Sequence, residues 1–408
     1  MQKVTFNELS DILARLAPNP RIVASGNFAT PRTLLGLADA SLPEFRLHMV
    51  NAQPGIPDRV GITYESAFVG PGMRRHERLQ YIPSRLSLVP VLFRDHFVPN
   101  VVMINTSQMR DGKFSLGTEV NILPAAIEAA RATGGIVIAQ ANSRMPYTFG
   151  DGELDESMID YVLEVDEQLA EKPVAAPNEA AEVIGGRVAA LLSDGATLQL
   201  GIGAIPDAVV TRLVEKRDLR VWSEMFSDGV LALSRANALD SGRPITASFI
   251  FGSRELYDWV NLNDAIEMRR TETTNDPANI SRQQRMTSIN TALQVDLHDQ
   301  ANASHVNSRI YSGFGGSTDF IVGALHSQGG KSIMALQSWH PKAKTSTIVP
   351  RLAEYVTSFQ HSHVITEQGV ADCFGHTEHE QATNLIEQAA HPDARAELRV
   401  AATKLGLI

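Results

Sequence analysis

The chain has 408 residues, which corresponds to two or three domains at about 150 residues each. Hydrophobic residues make up 43% and charged residues 20% of it, an ordinary globular composition that excludes a disordered, collagen-like or coiled-coil chain. The formal net charge is −10, so we expect no nucleic-acid partner. An anionic small molecule would need a local set of basic side chains or backbone N–H groups.

The N-terminal sequence and the cysteine content indicate the cellular compartment in which we expect the protein. The single cysteine, Cys373, cannot form an intrachain disulfide, which suits reducing conditions. Residues 1–20 predict a short amphipathic helix carrying Glu8, Asp11 and Arg15, not a signal peptide. No run of about 18 apolar residues occurs, so we expect no membrane span. The sequence therefore predicts a cytoplasmic protein that does not contact membranes.

Short β-branched runs recur along the chain and show little polar alternation, as in strands buried on both faces. They are 21–25, 101–105, 135–139, 197–200, 332–336 and 363–366. Helix-length segments with apolar residues three and four positions apart lie between them, for example 123–132 and 178–192. This alternation predicts an α/β fold with mainly parallel sheets.

A proline-flanked segment, 171–178, predicts a boundary between a domain of residues 1–175 and a domain of residues 176–408. Asn178 then supplies a helix N-cap. The segments 26–31 and 201–206 share Gly, Ala and Pro at a constant offset of 175 residues, and each precedes a helical pattern. Our hypothesis is an internal duplication; the alternative is coincidence between two strand–turn–helix units.

A glycine turn follows the apolar strand that begins at 197. Gly201 and Gly203 let the backbone approach a phosphate or thioester closely, and Pro206 stands where a helix can begin. The N-terminus of such a helix favours negative charge. A dinucleotide-binding turn is the alternative, but its third glycine position holds proline and no acidic residue closes a following strand at the required distance.

Two acids lie among apolar neighbours downstream of this turn. Glu224 and Asp228 are interspersed with Trp222, Met225 and Phe226, unlike the acids of a solvated face. Such a carboxylate acts as a nucleophile, as an acid–base group or as half of a buried pair. A separation of about twenty residues from the turn would place both features at the ends of consecutive strands.

Two further segments are candidate binding loops. Gly313, Gly315 and Gly316 lie between aromatic residues, which favours a packed loop with converging N–H groups over a mobile linker. Residues 335–344 end a strand with Ser338 and two lysines, and here a surface loop is the alternative.

The spacing of the histidines gives no metal prediction. Cys373 with His376 and His379, and His361 with His363, lack the paired Cys/His or HExxH patterns of zinc sites, so we expect no metal. The GxSxG turn of serine hydrolases is also absent from the sequence.

Nine segments carry the pattern of a known family. They are 198–208, 223–229, 248–258, 274–277, 289–296, 311–316, 348–350, 364–369 and 390–393. In this order they resemble the acetyl-CoA hydrolase/transferase family, which includes 4-hydroxybutyrate, butyrate and acetate CoA-transferases. The resemblance covers nearly the whole chain. Each segment alone is weak, whereas nine in sequence are specific.

The resemblance implies a fold of two similar open α/β domains with the active site between them. It implies that Glu224 is the covalent nucleophile and that Gly315 and Gly316 supply the oxyanion donors. It also implies coenzyme A, brought in as the acyl-CoA substrate, with no ATP and no metal. The residues expected to contact CoA are Gln199, Leu200, Gly201, Ile202, Gly203, Gly316 and Ser338.

We therefore predict a homodimeric CoA-transferase that moves CoA from an acyl-CoA, such as acetyl-CoA, to a small carboxylic acid through a glutamyl-CoA thioester. The alternatives are an acetyl-CoA hydrolase with the same site, an oxidoreductase built on Gly201 and Gly203, and a non-catalytic CoA-binding protein. Ser317 and Thr318 stand where 4-hydroxybutyrate enzymes carry Gln and Val, so the acid is not identified. Candidates to hold the CoA phosphates are Arg254, Arg309, Lys342 and Lys344.

Overall fold

The computed structural model describes residues 1–172, 176–201, 203–354, 356 and 360–408. Contacts within the chain divide it into two compact units, each assembled from three segments. Unit 1 is Met1–Pro173, Thr246–Thr274 and Arg309–Gly315; unit 2 is Val174–Ile245, Asn275–Ser308 and Gly316–Ile408. The predicted domain boundary at 175 falls on residues outside the described part and stays a prediction.

The described helices alternate with strands through most of the chain. They are α1 (Phe6–Leu13), α2 (Arg32–Ser41), α3 (Val89–Asp95), α4 (Leu123–Ala132), α5 (Glu179–Leu191), α6 (Ala204–Leu213), α7 (Asp228–Arg235), α8 (Arg254–Val260), α9 (Thr271–Thr274), α10 (Pro277–Ser281), α11 (Ser317–His326), α12 (Glu378–Asn384) and α13 (Pro392–Leu405). Three 3₁₀ turns, Asn27–Ala29, Leu86–Leu88 and Glu156–Met158, and a π-helical segment, Leu385–Ala389, are also described.

Unit 1 is built on a fully parallel sheet. Its strands are β1 (Gln2–Lys3), β2 (Arg21–Ala24), β3 (Phe45–His48), β4 (Ile62–Ser66), β5 (Leu79–Tyr81), β6 (Val101–Thr106), β7 (Ile136–Asn142) and β8 (Tyr161–Val165). They are ordered β1-β8-β7-β6-β2-β3-β4-β5. Every residue of β6 is buried, as expected for a central strand covered on both faces.

Unit 2 contains a second, smaller sheet. Its strands are β9 (Thr197–Leu200), β10 (Arg220–Val221), β11 (Met286–Asn290), β12 (Lys331–Ala335), β13 (His363–Ile365) and β14 (Val370–Asp372), in the order β10-β9-β11-β12-β13-β14. Only the pairing of β13 with β14 is antiparallel among these strands. The predicted α/β class with mainly parallel sheets is therefore confirmed.

Shorter strands form small ladders beside these sheets. They are Lys113–Ser115, Phe149–Gly150, Glu153–Asp155, Met225–Phe226, Ile245–Ala247, Phe249–Ile250, Ile266–Met268, Gln294–Asp296, Ala301–Asn302, His305–Val306, Arg309–Ile310, Trp339–His340, Thr345–Ser346 and Ile348–Val349.

Helix starts follow the capping signals in the sequence. Thr5 and Glu8 form a reciprocal capping box that begins α1, the amphipathic helix predicted near the N-terminus. The Asn178 side chain accepts a hydrogen bond from the N–H of Ala181 at 2.9 Å, which confirms it as the N-cap of α5. Within the described ranges, no helix combines the length and the apolar character needed to cross a membrane.

The two sheets share a strand order, which supports the internal duplication. In unit 1 the order β3-β2-β6-β7-β8 matches β10-β9-β11-β12-β13 in unit 2, and in each case the strand before the glycine turn lies second. The registers also correspond. Ile22 pairs with Leu47 in unit 1, and Thr197, which lies 175 positions after Ile22, pairs with Arg220 in unit 2. This strand order also occurs in other doubly wound α/β folds, so the offset of 175 residues, which the register keeps, is the observation that supports the duplication.

This register identifies the counterpart of Glu224 in unit 1. Leu47 corresponds to Arg220, so the residue four positions later, Asn51, corresponds to Glu224. The same alignment through β6 and β11 equates Asn105 with Asn290. Unit 1 thus carries an amide, which cannot attack a thioester, where unit 2 carries a carboxylate.

The core of unit 1 contains a fully buried histidine beside an ion pair. His48 packs edge-on against Phe93 with ring centroids 5.1 Å apart, and neither ring nitrogen has a hydrogen-bond partner among the described residues. Its Nδ1 lies 3.9 Å from Glu65, whose carboxylate accepts hydrogen bonds from Arg21. Burial lowers the pKa of His48 to about 4; the Glu65 carboxylate opposes this shift and Arg21 adds to it.

We expect the stability of unit 1 to fall as the pH drops from 6.5 towards 4. The unfolded chain takes up a proton on His48 below pH 6.5, whereas the folded chain does not until about pH 4. Between pH 7 and pH 5, hydrogen-exchange protection of the β3 amides, corrected for intrinsic rates, should decrease about 20-fold. The decrease should disappear in His48→Gln and persist in His96→Gln, which changes an exposed histidine. An equal decrease in His48→Gln would contradict this explanation.

Candidate active site

Hydrogen bonds to the end of β9 position the segment that leads to Glu224. The N–H of Trp222 donates to the carbonyl of Leu198 at 3.1 Å, and the N–H of Leu200 donates to the buried Ser223 hydroxyl at 3.2 Å. Glu224 therefore follows directly from a segment fixed at the carboxyl end of a parallel strand. This edge of a parallel sheet is where α/β proteins bind ligands.

Glu224 is held by one amide and one glycine. The Asn275 side-chain N–H donates to Glu224 Oε2 at 2.7 Å, and Asn275 is completely buried just before α10. A Cβ added to Gly316 would overlap both Glu224 Oε2 and Asn275 Nδ2. Only glycine at 316 leaves room for the carboxylate and amide in this position.

An apolar cluster covers the residue two positions before Glu224. Trp222 packs against a buried cluster formed by Ile280, Met286, Phe320 and Ala324. Burial raises the pKa of Glu224 to about 7, while the hydrogen bond from Asn275 lowers it and the Asp319 carboxylate raises it further. Glu224 is thus only partly exposed to solvent, in a segment whose neighbouring residues Met225 and Phe226 are buried.

The glycine turn after β9 needs glycine at position 203 because of its backbone dihedral angles, and not because neighbouring atoms leave no room for a side chain. Gly203 has φ of +121° and ψ of −178°, a combination essentially restricted to glycine, and no atom lies within 4 Å of a Cβ built on it. It precedes α6 without a side-chain cap. Gly201 would tolerate a Cβ, and Ile202 lies outside the described residues.

The other residues predicted to contact CoA at this turn are buried in β9. The side chain of Gln199 is buried and accepts a hydrogen bond from Asn290 at 3.3 Å. Leu200 is also buried and is fixed through its N–H to Ser223. Both residues therefore belong to the buried strand that leads into the turn.

The two predicted oxyanion glycines occupy different local settings. Gly316 contacts Glu224 within unit 2, as described above. Gly315 belongs to unit 1, where its carbonyl accepts from the N–H of Leu86 at 2.9 Å and a Cβ would meet the Phe68 ring at 3.1 Å. Its φ of +59° favours glycine. Gly316 thus lies within the Glu224 cluster of unit 2.

The Ser338 side chain contacts a carboxylate and is not exposed to solvent. It is fully buried, its hydroxyl donates to Glu367 Oε1, and its N–H donates to Glu367 Oε2 at 2.9 Å. Burial pushes the pKa of Glu367 upward, but the hydrogen bonds from Ser338 and Gln368 outweigh it and hold the pKa below its ordinary value. Glu367 is therefore a stable anion that anchors the Ser338 backbone.

Sequence reasoning missed Asn275 and Glu367 as site residues. Both lie in segments that carry the family resemblance, 274–277 and 364–369, but the sequence gives no contact partner for either. An asparagine directly before an Asp-Pro helix start was the available signal for Asn275.

The histidine-rich segment has structural partners. His361 Nδ1 lies 2.6 Å from Asp299, and His363 pairs with Asp372 at 3.4 Å. Across the part of the chain that the structure describes, no three His, Cys, Asp or Glu side chains are grouped to hold a metal ion. Cys373 is free and buried.

Of the four basic candidates for the CoA phosphates, two lie in each unit. Arg254, which pairs with Asp258 at 2.9 Å, and Arg309 belong to unit 1. Lys342 and Lys344 are exposed in the hairpin that joins Trp339–His340 to Thr345–Ser346. The two lysines are the candidates that unit 2 itself presents to solvent.

Comparison with known proteins gives the class that this fold and site define. The family model for the acetyl-CoA hydrolase/transferase N-terminal domain matches residues 32–177, and that for the C-terminal domain matches residues 252–402. The chain belongs to the acetyl-CoA hydrolase/transferase family.

Individual relatives cover most of the chain. It is 37% identical over 371 residues to 4-hydroxybutyrate coenzyme A transferase of Clostridium kluyveri, covering 86% of this chain and 85% of the relative. The crystal structure of a 4-hydroxybutyrate CoA-transferase from Porphyromonas gingivalis matches with a TM-score of 0.83 and 31% identity, covering 99% and 98% of the two chains. That of RipA from Yersinia pestis matches with a TM-score of 0.90 and 28% identity, covering 99% and 100%.

Replacing Gly316 with alanine should displace the Glu224 carboxylate, because the new methyl group would occupy its position. We expect acyl-CoA turnover to decrease about 100-fold or more, with the melting temperature little changed. Gly186→Ala is the matched control, since nothing lies within 4 Å of that Cβ on α5. Full activity in Gly316→Ala would contradict the described geometry.

Proposed function

We propose that the chain is an acyl-CoA:carboxylate CoA-transferase that works by a ping-pong cycle through Glu224. The observation that carries the proposal is the placement of this carboxylate. It lies at the carboxyl end of a parallel sheet, held by Asn275 against Gly316, in a chain of this family. A half-buried carboxylate with a raised pKa is a better nucleophile than a solvated one.

The first half of the cycle transfers CoA to the enzyme. The Glu224 carboxylate attacks the acyl-CoA thioester carbonyl, the C–S bond breaks, and an acyl-glutamyl anhydride and CoA thiolate form. The thiolate then attacks the glutamyl carbonyl and releases the first acid as its carboxylate, leaving a glutamyl-CoA thioester. An incoming carboxylate attacks this thioester, and the reverse sequence yields the new acyl-CoA and free Glu224.

Each step passes through a tetrahedral oxyanion that needs hydrogen-bond donors. We assign this role to the backbone at Gly315 and Gly316. The lack of a side chain at 316 supports the assignment, since it brings backbone against the glutamate carboxyl where the oxyanions develop.

We place coenzyme A along the glycine turn of residues 199–203. The open space above Gly203 and the uncapped start of α6 favour an anionic phosphate group at this place. Contact between CoA and Ser338 stays a prediction, because Ser338 is covered by Glu367 in this structure. Lys342 and Lys344 are the exposed cations of unit 2 that we assign to the CoA phosphates.

Trapping the intermediate tests the nucleophile directly. The enzyme is incubated with acetyl-CoA without an acceptor, treated with borohydride and digested, and the peptides are analysed by mass spectrometry. We expect reductive modification at Glu224 alone. CoA exchange between acetyl-CoA and a carboxylate should fall more than about 1,000-fold in Glu224→Gln, which removes the nucleophile and keeps the side-chain volume.

Glu215→Gln is the control for that experiment, because Glu215 is an exposed glutamate of the same unit. It should retain both labelling and exchange. An unmodified Glu224 in an enzyme that turns over would refute the mechanism.

The acid limb of the pH profile should report the ionisation of Glu224. Because the carboxylate form attacks and its pKa is raised to about 7, kcat/KM should fall about tenfold per pH unit below pH 7. The Asn275 hydrogen bond favours the ionised form, so Asn275→Ala should move the limb to higher pH. Asn384→Ala, which changes a distant amide at the end of α12, should not. A limb that stays in place in Asn275→Ala would show that another group titrates.

The family description also includes hydrolases, so water is the alternative acceptor. Free CoA release is measured with and without added carboxylate. A transferase forms acyl-CoA of the added acid, whereas CoA release that ignores the carboxylate would indicate a hydrolase.

A cytoplasmic location and a homodimer complete the proposal. The free, buried Cys373 suits a reducing compartment. Light scattering after size exclusion tests the dimer.

A further inference from the structure

A second carboxylate lies on the helix whose start touches Glu224. Asp319 is in the first turn of α11, three residues after Gly316, and is 2% exposed. Residues three apart on a helix share a face, with Cβ positions about 5–6 Å apart. Since a Cβ on Gly316 would overlap Glu224 Oε2, Asp319 lies on the side of α11 that faces the nucleophile.

We propose that Asp319 is a positioning residue that favours the covalent, uncharged forms of Glu224 over its free carboxylate. The inference depends on the proposed function, because it concerns the glutamyl-CoA thioester. Two carboxylates in one water-poor place repel each other, and the repulsion ends when one of them loses its charge.

The charge balance of the first half-reaction makes this testable. Acyl-CoA and the Glu224 carboxylate are converted into the glutamyl-CoA thioester and a free acid carboxylate. The negative charge thus leaves the neighbourhood of Asp319 with the released acid. Asp319 consequently shifts the equilibrium towards the thioester without touching the reacting atoms.

Protonation and thioester formation neutralise the same carboxylate, so Asp319 should affect both by the same factor. The raised pKa of Glu224, to which Asp319 contributes, is consistent with this. Other acids on neighbouring elements are Asp207 in α6, Asp228 in α7 and Asp276 at the start of α10. Asp319 is the carboxylate whose charge raises the pKa of Glu224 in addition to burial.

The alternative is that Asp319 only stabilises the start of α11, as acids in a first turn do. A purely structural role would lower the melting temperature of a variant and leave the two chemical equilibria unchanged. The experiment must therefore measure those equilibria.

We compare the parent enzyme with Asp319→Asn, which removes the charge and keeps the shape. The fraction of enzyme carrying CoA is measured by intact mass spectrometry after an acid quench, at a fixed acetyl-CoA to acetate ratio and pH 8.5. The pH dependence of kcat/KM is measured in parallel. We expect the acid limb to move to lower pH and the equilibrium constant for thioester formation to fall tenfold for each pH unit of that movement.

Asp276→Asn is the matched control, because Asp276 adjoins Asn275 and caps α10, and asparagine caps helices equally well. It should change neither quantity. Asp319→Ser, another neutral replacement suited to a helix start, repeats the test if Asp319→Asn does not fold.

The outcomes separate this inference from the proposed function. If a folded Asp319 variant changes neither the acid limb nor the thioester equilibrium, the inference is overturned and the proposed function stands. The same holds if the acid limb of the pH profile moves but the equilibrium constant for thioester formation does not change. A parent enzyme that forms no thioester on Glu224 overturns the proposed function, and the inference with it.

Discussion

The candidate site depends on the hydrogen bond between Asn275 and Glu224, which forms in a space that admits no side chain on residue 316. Asn275 donates to Glu224, and Gly316 leaves the space in which the two groups meet. Three segments distant in sequence must therefore be positioned together before the carboxylate is held. The parallel sheet of unit 2 does this, since β9 fixes the residues before Glu224, and α10 and α11 begin just after Asn275 and Gly316.

The shared strand order explains why one polypeptide contains two open sheets but one candidate nucleophile. A duplicated unit inherits the same carboxyl edge, and the register places Asn51 there as the counterpart of Glu224. Asn51 donates to Asn27, which in turn donates to the buried Glu119. An amide in this network satisfies hydrogen bonds and cannot form an anhydride. The corresponding edge of the unit 1 sheet thus carries polar side chains but no carboxylate at the position of Glu224.

Sequence patterns predicted what depends on neighbouring residues and missed what depends on packing between distant ones. The α/β class, the N-cap at Asn178 and the apolar setting of Glu224 followed from local spacing. The burial of Ser338 beneath Glu367 and the interlacing of three segments in each unit did not, since both arise from contacts that no local periodicity encodes. The proposed role of Glu224 came from the family resemblance, because a carboxylate among apolar residues is more often a capping or paired acid than a nucleophile.

The net charge of the chain is −10, and the candidate site is also acidic. Glu224 and Asp319 bring two acids to one enclosed place, and an anionic cofactor would be repelled there unless local groups offset them. The backbone supplies such groups without adding cationic side chains, because a glycine turn and a helix start direct N–H dipoles outward. Backbone dipoles have no pKa near neutrality, so they leave the ionisation of Glu224 to be set by Asn275, Asp319 and burial. A lysine next to the nucleophile would hold CoA more tightly but would lower the pKa of Glu224 and stabilise the free carboxylate against reaction. An acidic site with backbone donors is therefore consistent with the role proposed for Glu224, a nucleophile that must be regenerated in every cycle.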